Sequence, residues 1–361
     1  MSTYQIIGLT YAAIGVLALV VIPFEGTKKK TWELDRLFAS NFITWVIRLL
    51  VGGLFIYSGF IKANDYTGFA YKLEEYFTVF GTEFFVPLAF PLAWFIAVFE
   101  IALGVALILG YRFQLVLSLT TAMMIFFTFL TGYSHFTGAV TDCGCFGDAL
   151  KIEPWESFTK DIILTLMLIP LWFVRKSVKA LPNEPVAGAV TLATFILFGA
   201  FAYYCRTHLP MIDYRAYKVG VDLRDCTTQY GPDGLPPCKD WDVGFLDEPE
   251  FDVFQGSTLM LVAYDLDHAP DKALEASSKL VQDLSGTSVQ PVAFTASGSS
   301  TIKENKEAFS LSYPFAIMDQ TVLKTIIRSN PGYVLTRDGT ILGKWHYNDT
   351  PSAEEVQSLL K

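Results

Sequence analysis

The sequence predicts an α-helical membrane bundle followed by a separate α/β domain. Three observations carry that fold class. Hydrophobic residues make up 52% of the 361-residue chain, mean hydropathy is +0.37, and the excess lies in the first two hundred or so residues. That part holds six apolar runs, each near the roughly 20 residues needed to cross a bilayer. Beyond about residue 245 the composition turns ordinary, and strand-length runs alternate with helical spacing. The net charge of −9 offers no basic stripe, which argues against a nucleic-acid partner. Five cysteines are few for a disulfide scaffold, and an odd number leaves one thiol over.

The first run, Tyr4–Phe24, lacks a basic stretch before it and carries Lys28-Lys29-Lys30 after it. It reads as a retained span rather than a cleaved signal. Phe42–Ile61, Val86–Gly110, Phe113–Tyr133, Phe158–Val174 and Val186–Cys205 follow, broken by Pro, Gly or charge. Alternating sides put Lys28, Lys29, Lys30, Arg36, Arg112, Arg175, Lys176 and Lys179 in one set of loops. Only Lys62, Lys72, Lys151 and Lys160 fall in the other. The positive-inside bias then places the N-terminus, the loop after the fourth span and everything after the sixth outside, in the periplasm of a bacterium. Asn64–Phe85 interleaves Tyr66, Phe69, Tyr71, Tyr76, Phe77 and Phe80 with acidic residues and predicts a helix lying on the outer bilayer surface.

Arg48 and Glu100 lie inside spans, where a charge costs roughly 2.5–3.5 kcal/mol. Their helices run antiparallel, so pairing Arg48 with Glu100 is the expected solution, either as a structural ion pair or beside a ligand cavity. Gly52, Gly53, Ser58, Gly59 and Gly104 would let the two backbones approach. The stretches Arg48–Lys62 and Phe99–Gly110 resemble the DoxX family of bacterial membrane proteins. Cys143-Gly-Cys-Phe-Gly147 resembles the corresponding loop of its MauE relatives. The resemblance covers about residues 40–205. It implies a four-helix core associated with redox or disulfide chemistry in the bacterial inner membrane, with a quinone as the possible cofactor.

Cys143 and Cys145, with Gly144 between them, suit three chemistries. They can cycle as an exchanging pair, form a fixed bridge, or supply two metal ligands. His135 is the nearest imidazole, and no second ligand pair sits at finger spacing, so no metal is assigned. Asp142 and Asp148 would raise the thiol pKa unless a cation answers them. Cys205 ends the sixth span and is the candidate third thiol. Cys226 and Cys238 lie in a Pro- and Gly-rich stretch, and a structural disulfide is expected there, worth about 3 kcal/mol in the chain-entropy picture.

Residues 206–244 read as a periplasmic linker. After them, Thr258–Tyr264 and Val289–Thr295 have strand character, and Lys272–Leu284, Ile302–Phe309 and Gln320–Arg328 helical spacing. Tyr333–Thr336 and Thr340–His346 flank the turn signal Arg337-Asp338-Gly339, and Ser352–Leu360 closes the chain as a helix. This order, with Ser329-Asn330-Pro331-Gly332 before a strand, resembles the thioredoxin-like family over residues 245–361, Pro331 matching its cis-proline. The family's Cys-x-x-Cys position reads Asp265-Leu266-Asp267-His268, and no cysteine follows Cys238. Asp265, Asp267, His268 and Pro331 are then expected to mark a groove that docks a partner; the alternatives are that Asp265, Asp267 and His268 bind a cation, or form a solvated loop. Two functions result: a thiol–disulfide relay at the periplasmic face, or a non-catalytic anchor and docking subunit of an envelope assembly. Both call for a periplasmic or membrane protein partner and a lipid bilayer.

Overall fold

The computed structural model describes residues 41–140, 144, 146–150, 152–228, 236–238, 241–245 and 252–361. The chain divides into two compact units, residues 1–202 and 203–361. The predicted first span and Lys28–Lys30 lie outside the described residues.

In the first unit α1 (Asn41–Asn64) leads into the shorter α2 (Tyr66–Val79), and a 3-10 segment (Glu83–Leu88) precedes α3 (Ala89–Leu109). Then come α4 (Phe113–Thr137), α5 (Pro154–Val174) and α6 (Glu184–Thr207). Five helices among the described residues are long and apolar enough to cross a membrane. With spans of this length the backbone must satisfy its own hydrogen bonds, which only helices do here. The chain is a multi-pass membrane protein.

Among the described helices of this unit, α1 and α3 make the most extensive contact. A Cβ on Gly52 would lie 2.8 Å from the carbonyl oxygen of Gly104. Lipid gives no hydrophobic drive between helices, so close backbone packing of this kind supplies the attraction. Gly59 takes part in the same contact, against Ala97 and Ile101; Gly53 faces open space. α2 is capped at Asp65, whose carboxylate accepts from the Gly68 amide at 3.0 Å. It buries Tyr66, Ala70 and Leu73 against Ala89 and Ala93 of α3, and the Tyr66 hydroxyl donates to the Phe90 carbonyl at 2.8 Å.

The second unit is built on one mixed sheet. Its strands are β1 (Gly244–Phe245), β2 (Ser257–Val262), β3 (Val289–Thr295), β4 (Phe315–Ile317), β5 (Gly332–Arg337) and β6 (Thr340–His346). They lie in the order β1-β4-β3-β2-β5-β6. β2 is parallel to β3 and antiparallel to β5, so it is the central strand. Helices α8 (Asp271–Asp283) and α11 (Ala353–Leu359) cover one face with Leu274, Val281 and Val356. α10 (Gln320–Ile326) covers the other with Val322, Leu323 and Ile326. With both faces covered, β2 needs apolar residues on both, which is why it reads as a continuous run rather than an alternation. α9 (Ser299–Phe309) links β3 to β4.

The structure corrects the reading of residues 206–244 as a linker. Tyr217, Leu223, Cys226 and Cys238 are buried in the sheet's second core, and α7 (Leu223–Thr228) lies within the segment. The backbone from Gly220 to Leu223 bonds along the outer edge of β6, with the Ile341 amide donating to the Val221 carbonyl at 2.9 Å. An uncovered edge is a liability that needs a partner. Covering it takes irregular backbone with isolated large side chains, which leaves no period in the sequence. The strap is locked by Asp213, which accepts from Arg215 Nε at 2.8 Å and Lys344 Nζ at 2.7 Å. Burial opposes ionisation of Asp213, but the two cations outweigh it and hold the carboxyl at about 2. Burial, then the charge of Arg215, pushes the Lys344 ammonium down to about 7.

Candidate functional site

The residues around the two adjacent cysteines are seated on the first unit by described neighbours, although Cys143 and Cys145 themselves lie outside the described residues. Gly144 adopts φ +67°, and a Cβ there would come within 2.8 Å of Lys72 Cγ, so this position takes glycine for two reasons. The Lys72 stem, from α2, therefore lies along the residue between the thiols. Phe146 is buried, with its ring 5.8 Å from that of Tyr57 on α1. Lys160 of α5 sets its ammonium 5.0 Å over the Phe146 ring, a cation–π geometry. Gly147 packs on Ile61 of α1.

The two described lysines beside this loop are each paired with a carboxylate. Lys72 bonds Glu75 at 2.7 Å, and Lys160 bonds Asp161 at 2.7 Å. Asp161 is 1% exposed and its second oxygen accepts from Thr131 of α4 at 3.0 Å. The Tyr76 hydroxyl shares a hydrogen bond with Ser134 at 2.9 Å. One residue past Ile61, the Lys62 ammonium donates to Glu100 at 2.8 Å and to Ser58 at 2.6 Å. The rings of Phe127 and Phe69 lie 5.1 and 5.6 Å from it. Buried charges persist only where paired and hydrogen-bonded, and this ammonium joins four helices.

The expected Arg48–Glu100 pair does not form. The Gly52–Gly104 contact sets Arg48 beside the end of α3, where its Nε donates to the Leu107 carbonyl at 2.9 Å and its Nη2 to that of Ile108. The Trp45 ring lies 4.3 Å from the guanidinium. Those carbonyls belong to the last turn of a helix, where Leu107 receives only the long capping bond of the Gly110 amide at 3.3 Å among the backbone bonds, so a cation is favoured there. The same register brings Glu100 to Ser58 and Lys62, more than two turns from Arg48. Reading Lys62 as a loop residue concealed this pairing; it sits in the last turn of α1.

His135 stacks on Phe158, with ring centroids 6.0 Å apart. Among the described residues no group of three or more His, Cys, Asp or Glu is placed to hold a metal ion. Cys205 is buried and outside any disulfide. Cys226 and Cys238 are bonded, with Cα atoms 5.2 Å apart.

In the second unit, Asp265 Oδ2 meets His268 Nδ1 at 2.9 Å, and the His268 ring is 82% exposed. The Asn330–Pro331 peptide is cis. Asn330, which the sequence reading passed over, donates from its amide to the Asp265 carbonyl at 2.6 Å and accepts from the Asp265 amide at 3.3 Å. That side chain ties the Asp265–His268 loop to Pro331. Asp267 is exposed beside them.

The family described as methylamine utilisation protein MauE matches residues 40–174, which run from the start of α1 to the end of α5 and include Cys143-Gly-Cys-Phe-Gly147. "Protein TlpB" of Flavobacterium psychrophilum is 29% identical over 172 residues, covering 44% of this chain and 44% of that protein. The match thus spans less than half the length of that relative. No solved structure matches the chain. Along its first unit, this is a membrane protein similar to MauE.

Proposed function

We propose that the chain is an inner-membrane thiol–disulfide relay that works at the periplasmic face. In this reading the N-terminus and the second unit are both periplasmic. Cys143 and Cys145 exchange with a partner protein: their disulfide is reduced to two thiols as a partner dithiol closes to a disulfide, moving two electrons and two protons. The second unit, read as thioredoxin-like from its strand order and cis-Pro331, lacks thiols at the Asp265–His268 position and serves to dock that partner. The carrying observation is the seating of Gly144, Phe146 and Gly147. Tyr57, Ile61, Lys72 and Lys160, from three helices, contact these three described residues, which lie within the MauE-matched residues.

A quinone, the cofactor that the DoxX resemblance implies, requires hydrogen-bond donors for its carbonyl oxygens. The Lys62 ammonium donates to Ser58 and Glu100 and the Arg48 guanidinium to helix carbonyls, and both residues are buried among packed side chains. Around these two cations the residues do not fit a quinone, and no step is routed through one.

Thiol trapping in intact cells tests the relay. Cys143 and Cys145 should shift between modified and protected forms as oxidising and reducing challenges alternate; an unchanging state under both would sink it. The second reading, a non-catalytic docking subunit, draws on the Asn330 clamp over the position where a dithiol would stand. It predicts that Cys143→Ser with Cys145→Ser keeps activity, whereas removal of residues 245–361 abolishes it.

A further inference from the structure

The strap that opens the second unit exposes apolar side chains just where the chain leaves the membrane. α6 has 24 residues, about 36 Å of helix against a hydrocarbon core of about 30 Å. Its last residues, from Tyr203, already belong to the second unit. They are tied to the turn that follows β6. Asn348 Nδ2 donates to the Thr207 carbonyl at 2.7 Å, and His208 Nε2 lies 3.4 Å from Asp349 Oδ1. Beyond the helix, Leu209 packs on the second core of the sheet, and Asp213 is fixed by Arg215 and Lys344. Met211 and Ile212 lie between those two fixed points, yet they are 64% and 43% exposed. On the last turns of α6, Tyr203 and Tyr204 are exposed as well.

We infer that Met211 and Ile212 form a foot by which the second unit rests in the headgroup layer of the bilayer that α6 crosses. Three features favour lipid as the partner of this patch. The first is continuity with the membrane. A helix about 6 Å longer than the core, ending in Tyr203, Tyr204 and Arg206, has its last turn in the headgroup layer, where amphipathic rings and basic heads collect. Met211 follows Thr207 by four residues, so it lies within roughly 14 Å of that turn even when fully extended. The second is presentation. Leu209 turned inward and Asp213 locked by two cations hold a large apolar pair outward, and the pair leaves water only if something apolar receives it. The third is charge. Within 203–220 the exposed charges, Arg206 and Lys218, are both basic, while the acid Asp213 is paired with Arg215 and Lys344. Basic heads beside apolar side chains suit a surface of anionic headgroups over acyl chains.

The same contacts fix which end of the sheet stands nearest the bilayer. His346 pairs with Gly332 in the β5–β6 ladder, and the Tyr347 amide donates to Ser329 Oγ at 3.1 Å. The cis-Pro331 loop is therefore at the end tied to α6. A partner docked there, as proposed above, would be met at the membrane surface; that consequence rests on the docking reading, whereas the foot does not.

Photo-cross-linking of the full chain in native membranes tests it. The photoreactive residue p-benzoylphenylalanine would replace Met211 or Ile212 and, in controls, Ile196 or Ser285. Ile196, 62% exposed within α6, reports that lipid is captured. Ser285 is exposed in the turn leading into Val289, which pairs with Ser257 at the opposite end of the sheet from His346. An intact Cys226–Cys238 disulfide, seen as a mobility change on reduction, shows that each variant has folded. Expected are phospholipid adducts at Met211 and Ile212, identified by mass spectrometry, at about threefold or more the yield at Ser285. A smaller excess at both positions, with Ile196 labelled, would overturn the foot. Protein adducts outnumbering lipid adducts there would overturn it as well, and would give the patch to another copy or another chain.

Discussion

Each unit of this protein buries a lysine against a carboxylate, and the two pairs are built differently. Lys62–Glu100 joins neighbouring membrane helices, with a hydroxyl and two aromatic rings filling the remaining space around the ammonium. Lys344–Asp213 locks a strap onto a sheet edge, and there Arg215 shares the carboxylate. One site balances one cation with one anion; the other sets two cations on one anion. The second arrangement has an exit, because Lys344, already brought to about 7, can lose its proton. Position alone does not decide what a buried lysine costs; the count of charges around it does.

Removing the anion should separate the two sites most sharply. Glu100→Leu strands the Lys62 ammonium and should cost about 3–5 kcal/mol, read as a fall in the thermal aggregation temperature in detergent. Adding Lys62→Met should restore most of it. Asp213→Asn should cost less, about 1–3 kcal/mol, since Lys344 can discharge and the Asn carbonyl oxygen can still accept from Arg215. Equal losses at the two sites would break the contrast. A pH series sharpens it. The folded pKa of Lys344 lies below its unfolded value of 10.5. Between pH 7 and 10.5 the unfolded chain therefore binds more protons, and stability of the strap should rise with pH by up to ~1.4 kcal/mol per unit. Hydrogen exchange of the β6 amides would report it, and Lys344→Met should flatten the slope.

A change to the packing of the first unit should have an effect of middle size. Gly104→Val would drive a side chain into the Gly52 carbonyl and should cost about 1–3 kcal/mol, seen as loss of the wild-type peak on size exclusion in favour of aggregate. At the small end, Lys72→Ala removes a partly exposed pair with Glu75 and should change stability by less than about 1 kcal/mol. Its consequence belongs to the loop instead: alkylation of the neighbouring thiols should change in rate while the melting temperature does not.

Much of this architecture was legible in the residues. Five of the predicted spans and the main strands fell within a few residues of their observed bounds, because a continuous apolar run has few other solutions in lipid or between two helix layers. β4 escaped notice, being three residues long and directly after Pro314. The Arg48–Glu100 expectation failed on register: both residues were treated as lying at one depth, and the glycine contacts shift the helices past that alignment.

By itself the sequence determined which segments enter the membrane, where the strands lie and which two thiols stand together, since each is a matter of local composition or adjacency. Only the tertiary structure decided that Lys62 answers Glu100, that Lys160 covers Phe146, that Asn330 ties Asp265 to Pro331 and that residues near 213–223 close a sheet edge. Those partners are separated along the chain by 14 to 131 residues. A charge pair or a cap depends on distance in space, and nothing in a residue's own neighbourhood records which distant group will arrive beside it.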